Sequence, residues 1–507
     1  MMRAEMNDIA ETAERLRFFL TAREWWRGLL IAGSGAALTA LFTMGISPWI
    51  MVTVFIVVLT GYHMKGASRF MVPLPHIAIL ISALQYVLAA WWSVYAPGSI
   101  GSGPIIGFYL TYAGPVLAAV ALGWSLALLR LRPRNDPPAS EPSPGLLREL
   151  DALILLGLAA APISHILGAP SLAFVFVLVG NLRYVGAFGR MILHAPGWPL
   201  RLGFVLLAEL VFAADAAMFH PLLLWVAWSF AVWLYCFKPS ARIIGAAFVI
   251  ALLFLPSFQE AKWRLRGQVL EFDAETGFAS ESDGEGGSPI SKATSFLIYL
   301  GEGLVHSVTL NLTPDFVADT LTRYNQGWII TNVMVFVPDR EPFAMGETLT
   351  QALKASLLPR FADPEKAVAG GRDNMARYAG VVLDEKTSMN LGYAGEMYAN
   401  FGYGGIIGSG IYAFVFSLVF RLIARRAFSI PMWWSTVPFL FFAVLKAEDG
   451  IAEILNWTSK SAFVMIGVII VLPNLRRALF ARFDPQGAPT QQQHPAVPPR
   501  VQPDVSY

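Results

Sequence analysis

Gly392-Tyr-Ala-Gly-Glu396-Met-Tyr398-Ala-Asn400-Phe401-Gly402-Tyr-Gly404-Gly405 runs without interruption into the apolar segment 406–420. A segment that apolar reads as a membrane span, and the residues before it set a carboxylate, a phenol and an amide at its mouth. If 396–400 forms the first turn of that helix, Glu396 and Asn400 share a face, because residues four apart lie one above the other. Gly404 and Gly408 repeat the spacing and would let a neighbouring helix backbone approach closely.

Working outward, the chain of 507 residues is 55% hydrophobic and 14% charged, with a mean hydropathy of +0.54. That composition belongs in a bilayer and gives an all-α polytopic membrane protein as the fold class. About twelve spans are expected, at 29–44, 49–62, 76–95, 105–129, 152–167, 171–188, 202–218, 222–237, 243–258, 404–420, 433–445 and 461–472. Reading 29–62 and 150–188 each as one re-entrant hairpin gives ten instead. Arginine and lysine follow every second span, as in Lys65 and Arg69, Arg130 to Arg134, Lys238 and Arg242, and Arg421 to Arg426. The short opposite loops carry none until Lys446 and Lys460, so both termini are expected on the cytoplasmic side.

The resulting layout is a cytoplasmic segment 1–28, a membrane domain 29–258 of about nine helices, a long external loop 259–402, a second membrane part 403–474 of about three helices, and a disordered tail 475–507. Within the loop, 271–288 is acidic and rich in Gly and Ser and reads as a mobile excursion. Residues 295–312 suit an amphipathic interfacial helix. The Thr-Pro-Asp at 313–315 opens another helix, and the Ile- and Val-rich 327–337 reads as extended. A net charge of +2, with arginines scattered at span ends, offers no nucleic-acid face. The lone Cys236 excludes an intramolecular disulfide and any multi-cysteine metal site. No Gly-x-x-x-x-Gly-Lys-Ser/Thr loop and no His-Glu-x-x-His pair occurs, which argues against ATP-driven transport and zinc protease chemistry.

The order Arg323-Tyr-Asn-Gln, Pro342-Phe-Ala-Met-Gly346-Glu-Thr-Leu, Leu358-Pro359-Arg360-Phe and Gly395-Glu396-Met-Tyr398-Ala-Asn400-Phe401-Gly402 resembles the Wzy-type oligosaccharide repeat-unit polymerases that build O-antigen and exopolysaccharide. The likeness covers about residues 321–421. It departs after the Pro-Arg pair, where the family often shows an aromatic residue and Lys-Pro and this chain has Ala362 and Lys366-Ala367; no role follows for Lys366. The resemblance implies a membrane glycosyltransferase-like fold in the bacterial inner membrane. It implies an undecaprenyl-diphosphate-linked oligosaccharide as donor and acceptor, reaction at the periplasmic face, inversion at the anomeric carbon, and no cofactor or metal. A chain-length regulator and a flippase are the protein partners such an enzyme would have.

Transfer from a lipid diphosphate needs cations for the leaving group and a base for the attacking hydroxyl. Arg360 leads as a diphosphate clamp, followed by Arg372, Arg323 and Arg377, since guanidinium stays charged and grips phosphate with two prongs. Each could equally be a loop arginine paired with a nearby aspartate. Glu396 is the first choice of base and Asp373 the second, against a plain helix-capping role for Glu396. Tyr398 and Asn400 would orient sugar hydroxyls. Lys446, Glu448, Asp449 and Glu453 form a second polar cluster that either faces the same site or pairs internally. Glu209 either meets an arginine of a neighbouring span or lines a lipid path. A lipid-linked glycan transporter or flippase, an O-antigen-type ligase and a binding-only assembly subunit are the alternative readings.

Overall fold

The computed structural model describes residues 22–42, 47–93, 106–128, 131, 142–166, 170–272, 279–281, 288–309, 324–358, 371–383 and 389–480. Nine helices open the described chain: α1 (Ala22–Phe42), α2 (Pro48–Ala67), α3 (Leu74–Ser93), α4 (Ile106–Leu128), α5 (Pro144–Ile166), α6 (Pro170–Ile192), α7 (Trp198–Asp215), α8 (His220–Phe237) and α9 (Ala241–Val269). A two-stranded antiparallel ribbon of β1 (Leu270–Phe272) and β2 (Ala279–Glu281) then leads to α10 (Pro289–Val308). Four short helices follow: α11 (Gly327–Phe336), α12 (Glu347–Leu357), α13 (Arg372–Ala379) and α14 (Gly392–Phe401). The last long ones are α15 (Gly405–Ser429) and α16 (Ile451–Val471), closed by the short α17 (Pro473–Phe480). Among the described residues, eight helical runs are long and apolar enough to cross a membrane. The chain is an all-α polytopic membrane protein, the six-residue ribbon being the one sheet among the described residues.

The long helices pack as neighbours in pairs: α1 on α2, α5 on α6, α9 on α10, and α4 on the distant α15. The last contact brings backbone against backbone. A Cβ on Gly123 would stand 2.3 Å from Gly410 O, so the two backbones touch where side chains would hold them apart. Ser417 Oγ donates to Trp124 O at 2.8 Å, and Arg421 Nη1 to Ala127 O at 3.1 Å, along the same seam. The close approach therefore lies at Gly123 and Gly410, not at Gly404 and Gly408, whose neighbours are Phe401 and Met397 of the preceding helix.

Charges inside the bundle are paired, as a low-dielectric interior demands. Arg183 of α6 meets Glu209 of α7, and Tyr184 OH adds a bond to the same carboxylate at 3.2 Å. Both partners are under 10% exposed. Asp151 of α5 takes Arg190 and Arg201 together, Arg201 Nε at 2.7 Å. Glu209 thus has the arginine of a neighbouring helix as its partner.

Segment 433–445, expected as a span, is not one helix. It consists of a 3-10 turn at Pro431–Ser435, one turn at Val437–Leu440 and a second 3-10 turn at Ala443–Leu445. Pro438 has no N–H to give and would crowd the carbonyl of residue 434 in a continuous helix. Residues 437–445 are all buried, which is where irregular backbone at membrane depth can exist. An aromatic column holds them. Tyr184 stacks on Trp225 at 3.6 Å, Trp225 on Phe442 at 4.7 Å, and Phe442 packs on Trp457 at 4.8 Å. Trp457 Nε1 also donates to Phe439 O at 2.9 Å.

Four further local expectations change. Residues 327–337, read as extended, form the buried helix α11, because Ile329, Ile330, Val333, Met334 and Val337 recur at helical spacing despite their β-branched character. The expected excursion 271–288 contributes strand residues to the ribbon. At 29 residues, or about 43 Å, α9 is longer than the ~30 Å hydrocarbon thickness, and it continues past the expected end at 258 with α10 packed along it. Finally, Glu396 is not in a first turn. Helix α14 begins at Gly392, and Gly402, at φ +57, breaks it from α15. A Cβ at Gly402 would also press within 3.0 Å of the Phe343 ring.

Candidate functional site

Helix α14 is buried along nearly its whole length, with Phe401 the exception among its ten residues. Tyrosines fasten it. Tyr112 OH donates to Ala394 O at 2.8 Å, Tyr393 stacks on Tyr412 at 4.5 Å, and Tyr393 OH shares a hydrogen bond with Ser82 Oγ at 3.1 Å. Tyr86 OH donates to Ala447 O at 2.6 Å and so ties α3 to the loop before α16. These contacts fix the rotation of α14 and with it the direction of Glu396.

Glu396 is 3% exposed, and its Oε2 accepts the backbone N–H of Ile451 at 2.8 Å. Ile451 is the first residue of α16 and Gly450, ahead of it, has no side chain to cap the helix. The carboxylate from α14 takes one of the orphan N–H groups at that helix start, where the macrodipole also favours negative charge. The capping role weighed for Glu396 is therefore present, but on α16, a different helix from its own.

Beside this contact lies a cavity of about 90 Å³ walled by α12, α13, α14 and the start of α16. Glu396 and Asp373 both line it, and Glu453 from the first turn of α16 joins them. Asp373 is exposed, so it stands at the rim, while Glu396 lies deep. Amide side chains complete the polar lining: Gln351, Asn374, Asn390 and Asn456. Among the described residues that line it there is no lysine, arginine or histidine. The two expected bases are brought together here, in a space walled by hydrogen-bonding groups suited to hydroxyls.

The other expected residues separate. Asn400 is fully buried, and its amide is committed inside the chain. Its Oδ1 accepts Gly346 N–H at 2.8 Å, and its Nδ2 donates to Thr348 Oγ1 at 2.7 Å and to Glu396 O at 2.8 Å. It staples the 344–348 segment to the end of α14, positioning the site without offering a free group to a sugar. Tyr398, two residues from Glu396 on the helix, points away from the cavity. Its ring meets Tyr112 at 4.9 Å, Tyr403 at 5.9 Å and Phe343 at 6.4 Å.

Arg377 forms ion pairs with Glu341 at 2.6 Å and Glu347 at 3.0 Å, and does not line the cavity. Glu347 and then Glu341 hold its guanidinium still more firmly protonated than usual. Its geometry is that of a loop arginine with local partners. Arg372 is exposed at the start of α13, next to Asp373. Arg360 and Arg323 lie outside the described residues.

The 446–453 cluster divides between two places. Lys446 pairs with Asp449 at 3.4 Å, and burial pushes the Asp449 carboxyl up to about 6 against the pull of that lysine. Glu448 turns to His220 Nδ1 at 3.3 Å and to Gln326 Nε2 at 3.5 Å. Only Glu453 faces the cavity. The amides Gln351, Asn374, Asn390 and Asn456 were not singled out from sequence. A signal existed for the first: Thr348, Gln351, Ala352 and Ala355 fall on one helical face of α12, small or polar where a core stripe would be large and apolar.

Among the described residues no group of three or more His, Cys, Asp or Glu side chains is arranged to hold a metal ion. Comparison with protein-family models, with curated proteins and with solved structures finds no match for this chain.

Proposed function

We propose that this protein is a membrane glycosyltransferase that polymerises polyprenyl-diphosphate-linked oligosaccharide repeat units, at the periplasmic face of a bacterial inner membrane. The observation that carries the reading is the meeting of Glu396 and Asp373 in one cavity walled by amides and a third carboxylate. Amide and carboxylate groups side by side match the paired donors and acceptors of vicinal sugar hydroxyls. One of the two carboxylates removes the proton of the acceptor hydroxyl. The freed oxygen pair forms the bond to the anomeric carbon of the donor, whose bond to the diphosphate oxygen breaks with inversion. The polyprenyl diphosphate leaves with the electron pair of the broken anomeric C–O bond.

Asp373, at the rim, is the better placed of the two to reach a hydroxyl entering from outside, with Glu396 orienting it from below. The diphosphate clamps in this reading are Arg360, Arg372 and Arg323; Asn400 acts in positioning, and Arg377 serves only its local ion pairs. The layout that goes with it has about twelve spans, one long external loop and both termini in the cytoplasm.

The test is incubation of the purified protein in nanodiscs with a synthetic polyprenyl-diphosphate repeat unit, read as a ladder on a gel. Wild type is expected to give the ladder, and Asp373→Asn, Glu396→Gln and Arg360→Ala each to reduce it at least tenfold with folding intact. A ladder unchanged in both carboxylate variants would sink the assignment of the site. Substrate moved between leaflets without any ladder would replace the reading with transport.

A further inference from the structure

One face of α16 changes its surroundings along its length. Ala452, Asn456, Ser459, Phe463, Ile466 and Ile470 follow one another at three or four residues and so share that face. Ala452 and Asn456 line the cavity. Ser459 Oγ then donates to Ser356 O at 3.3 Å, which sets the last turn of α12 against the same face. Phe463, one turn further on, is 64% exposed, and Ile466 and Ile470 beyond it are exposed as well. On a membrane span, exposed apolar side chains meet lipid. The cavity therefore stands directly above the lipid-facing stripe of α16, with the end of α12 between the two.

Depth follows from the geometry of α16. Its 21 residues rise about 31 Å, close to the ~30 Å of a bilayer's hydrocarbon core. Ser459 comes eight residues after Ile451, so the contact with α12 lies about 12 Å along that rise. At its other end α12 is fixed beside aromatic side chains: Met345 N donates to Asn400 O at 3.2 Å, next to Phe401 and Tyr403, both exposed. Aromatic rings of that kind collect at the headgroup level of a membrane. Helix α12 is itself two-faced. Thr348, Ala352 and Ala355 line the cavity, while Leu353 and Leu357, one turn apart, are 51% and 67% exposed with Lys354 between them. A lysine in that place lays its stem along lipid and keeps its ammonium among the headgroups. We infer that α12 is an interfacial helix seated in the leaflet nearer the cavity, with Leu353 and Leu357 among the lipid acyl chains. It separates the cavity from the bilayer by the thickness of one helix. A ligand carried on a membrane lipid then reaches the cavity along the Phe463 face of α16 without leaving the leaflet. This placement follows from the membrane fold alone and holds whichever reaction the cavity serves.

Two measurements test the placement. The unaltered protein is put into nanodiscs holding a phospholipid with a diazirine in its acyl chain, irradiated, and its adducts mapped by peptide mass spectrometry. Leu353 and Leu357 are expected to carry adducts at a yield within threefold of that at Phe463. Adducts at Phe463 with none on α12 would overturn the inference. For the second measurement a nitroxide is attached through Leu353→Cys, Leu357→Cys or Phe463→Cys, each in a Cys236→Ala background. Collision with oxygen, which concentrates in lipid, is compared with collision with a water-soluble nickel chelate. The oxygen-to-nickel ratio at the two α12 positions is expected at least threefold above that of free label in buffer and close to that at the Phe463 position. A ratio equal to that of free label would place α12 in water and sink the idea. A nitroxide shielded from both collision partners would sink it too, by showing that another segment of the chain or a second copy covers the leucines. Should the Cys236→Ala background fail to fold, the adduct map of the unaltered protein decides alone.

Discussion

Asn400→Ala separates a positioning amide from a substrate ligand. The side chain is fully buried and makes three hydrogen bonds, to Gly346 N, Thr348 Oγ1 and Glu396 O, at 2.7–2.8 Å. Truncation leaves the Gly346 N–H without its acceptor and deprives Thr348 of a donor. A part-buried donor left unsatisfied costs about 1–2 kcal/mol, and each of the other two bonds lost about 0.5–1 kcal/mol, so the total loss is about 2–4 kcal/mol. In a chain of this size that corresponds to a fall of about 2–4 °C in unfolding temperature, at roughly 1 °C per kcal/mol. The assay is intrinsic-fluorescence melting in nanodiscs, with the polymer ladder run well below either melting temperature. Thr348→Val serves as the second corner of a double-mutant cycle, and its effect with Asn400→Ala should fall short of additivity by about 1 kcal/mol. A melting temperature moved by less than about 1 °C, alongside weakened substrate binding, would refute the staple and return the amide to the substrate.

Three other outcomes follow from the geometry. Arg183→Leu or Glu209→Leu alone strands a charge under 10% exposed and should destabilise by about 3–5 kcal/mol, while the double Leu variant recovers most of it; equal losses in all three, by melting, would contradict the pairing. Asp449 has its folded carboxyl pushed up to about 6 from an unfolded value near 3.9, so the folded state binds the extra proton between those values and stability falls as pH rises from about 4 to 6. The drop is on the order of 3 kcal/mol and should flatten in Asp449→Asn; a slope unchanged in that variant would assign it to other groups. Arg377→Ala removes ion pairs from a side chain 45% exposed and should change stability by no more than about 1 kcal/mol and leave the ladder intact; a lost ladder would make it a substrate ligand.

Hydropathy made most of the helices readable, because a span must be apolar over its whole length. It failed at 433–445 for the same reason. A buried irregular stretch is as apolar as a helix, and only Pro431 and Pro438 betrayed it. At 327–337 the Ile and Val content suggested strand, while burial at 329, 330, 333, 334 and 337 followed the helix period. Glu396 and Asp373, singled out by residue type and order, line one cavity. What stayed hidden was partnership. Face-sharing of Glu396 and Asn400 holds, since Asn400 Nδ2 reaches Glu396 O, yet no spacing rule reveals that Gly346 and Thr348 use up the rest of that amide. Nor could the sequence show that Glu396 caps a helix starting 55 residues later in the chain.

The broken stretch between Pro431 and Leu445 bears on how the molecule is made. A helix can wait in lipid with its backbone bonds already closed, but a chain of single turns cannot, since its open carbonyls and amides have no water to meet there. That stretch has to be sheltered by α6 and α8 on one side and by α16 on the other before it settles. Helix α16 leaves the ribosome after the stretch it must shelter. Assembly of this part of the membrane domain is therefore completed backwards, with the later-made element closing over the earlier one. The same step brings Ile451 against Glu396, so the cavity is finished only when the bundle is.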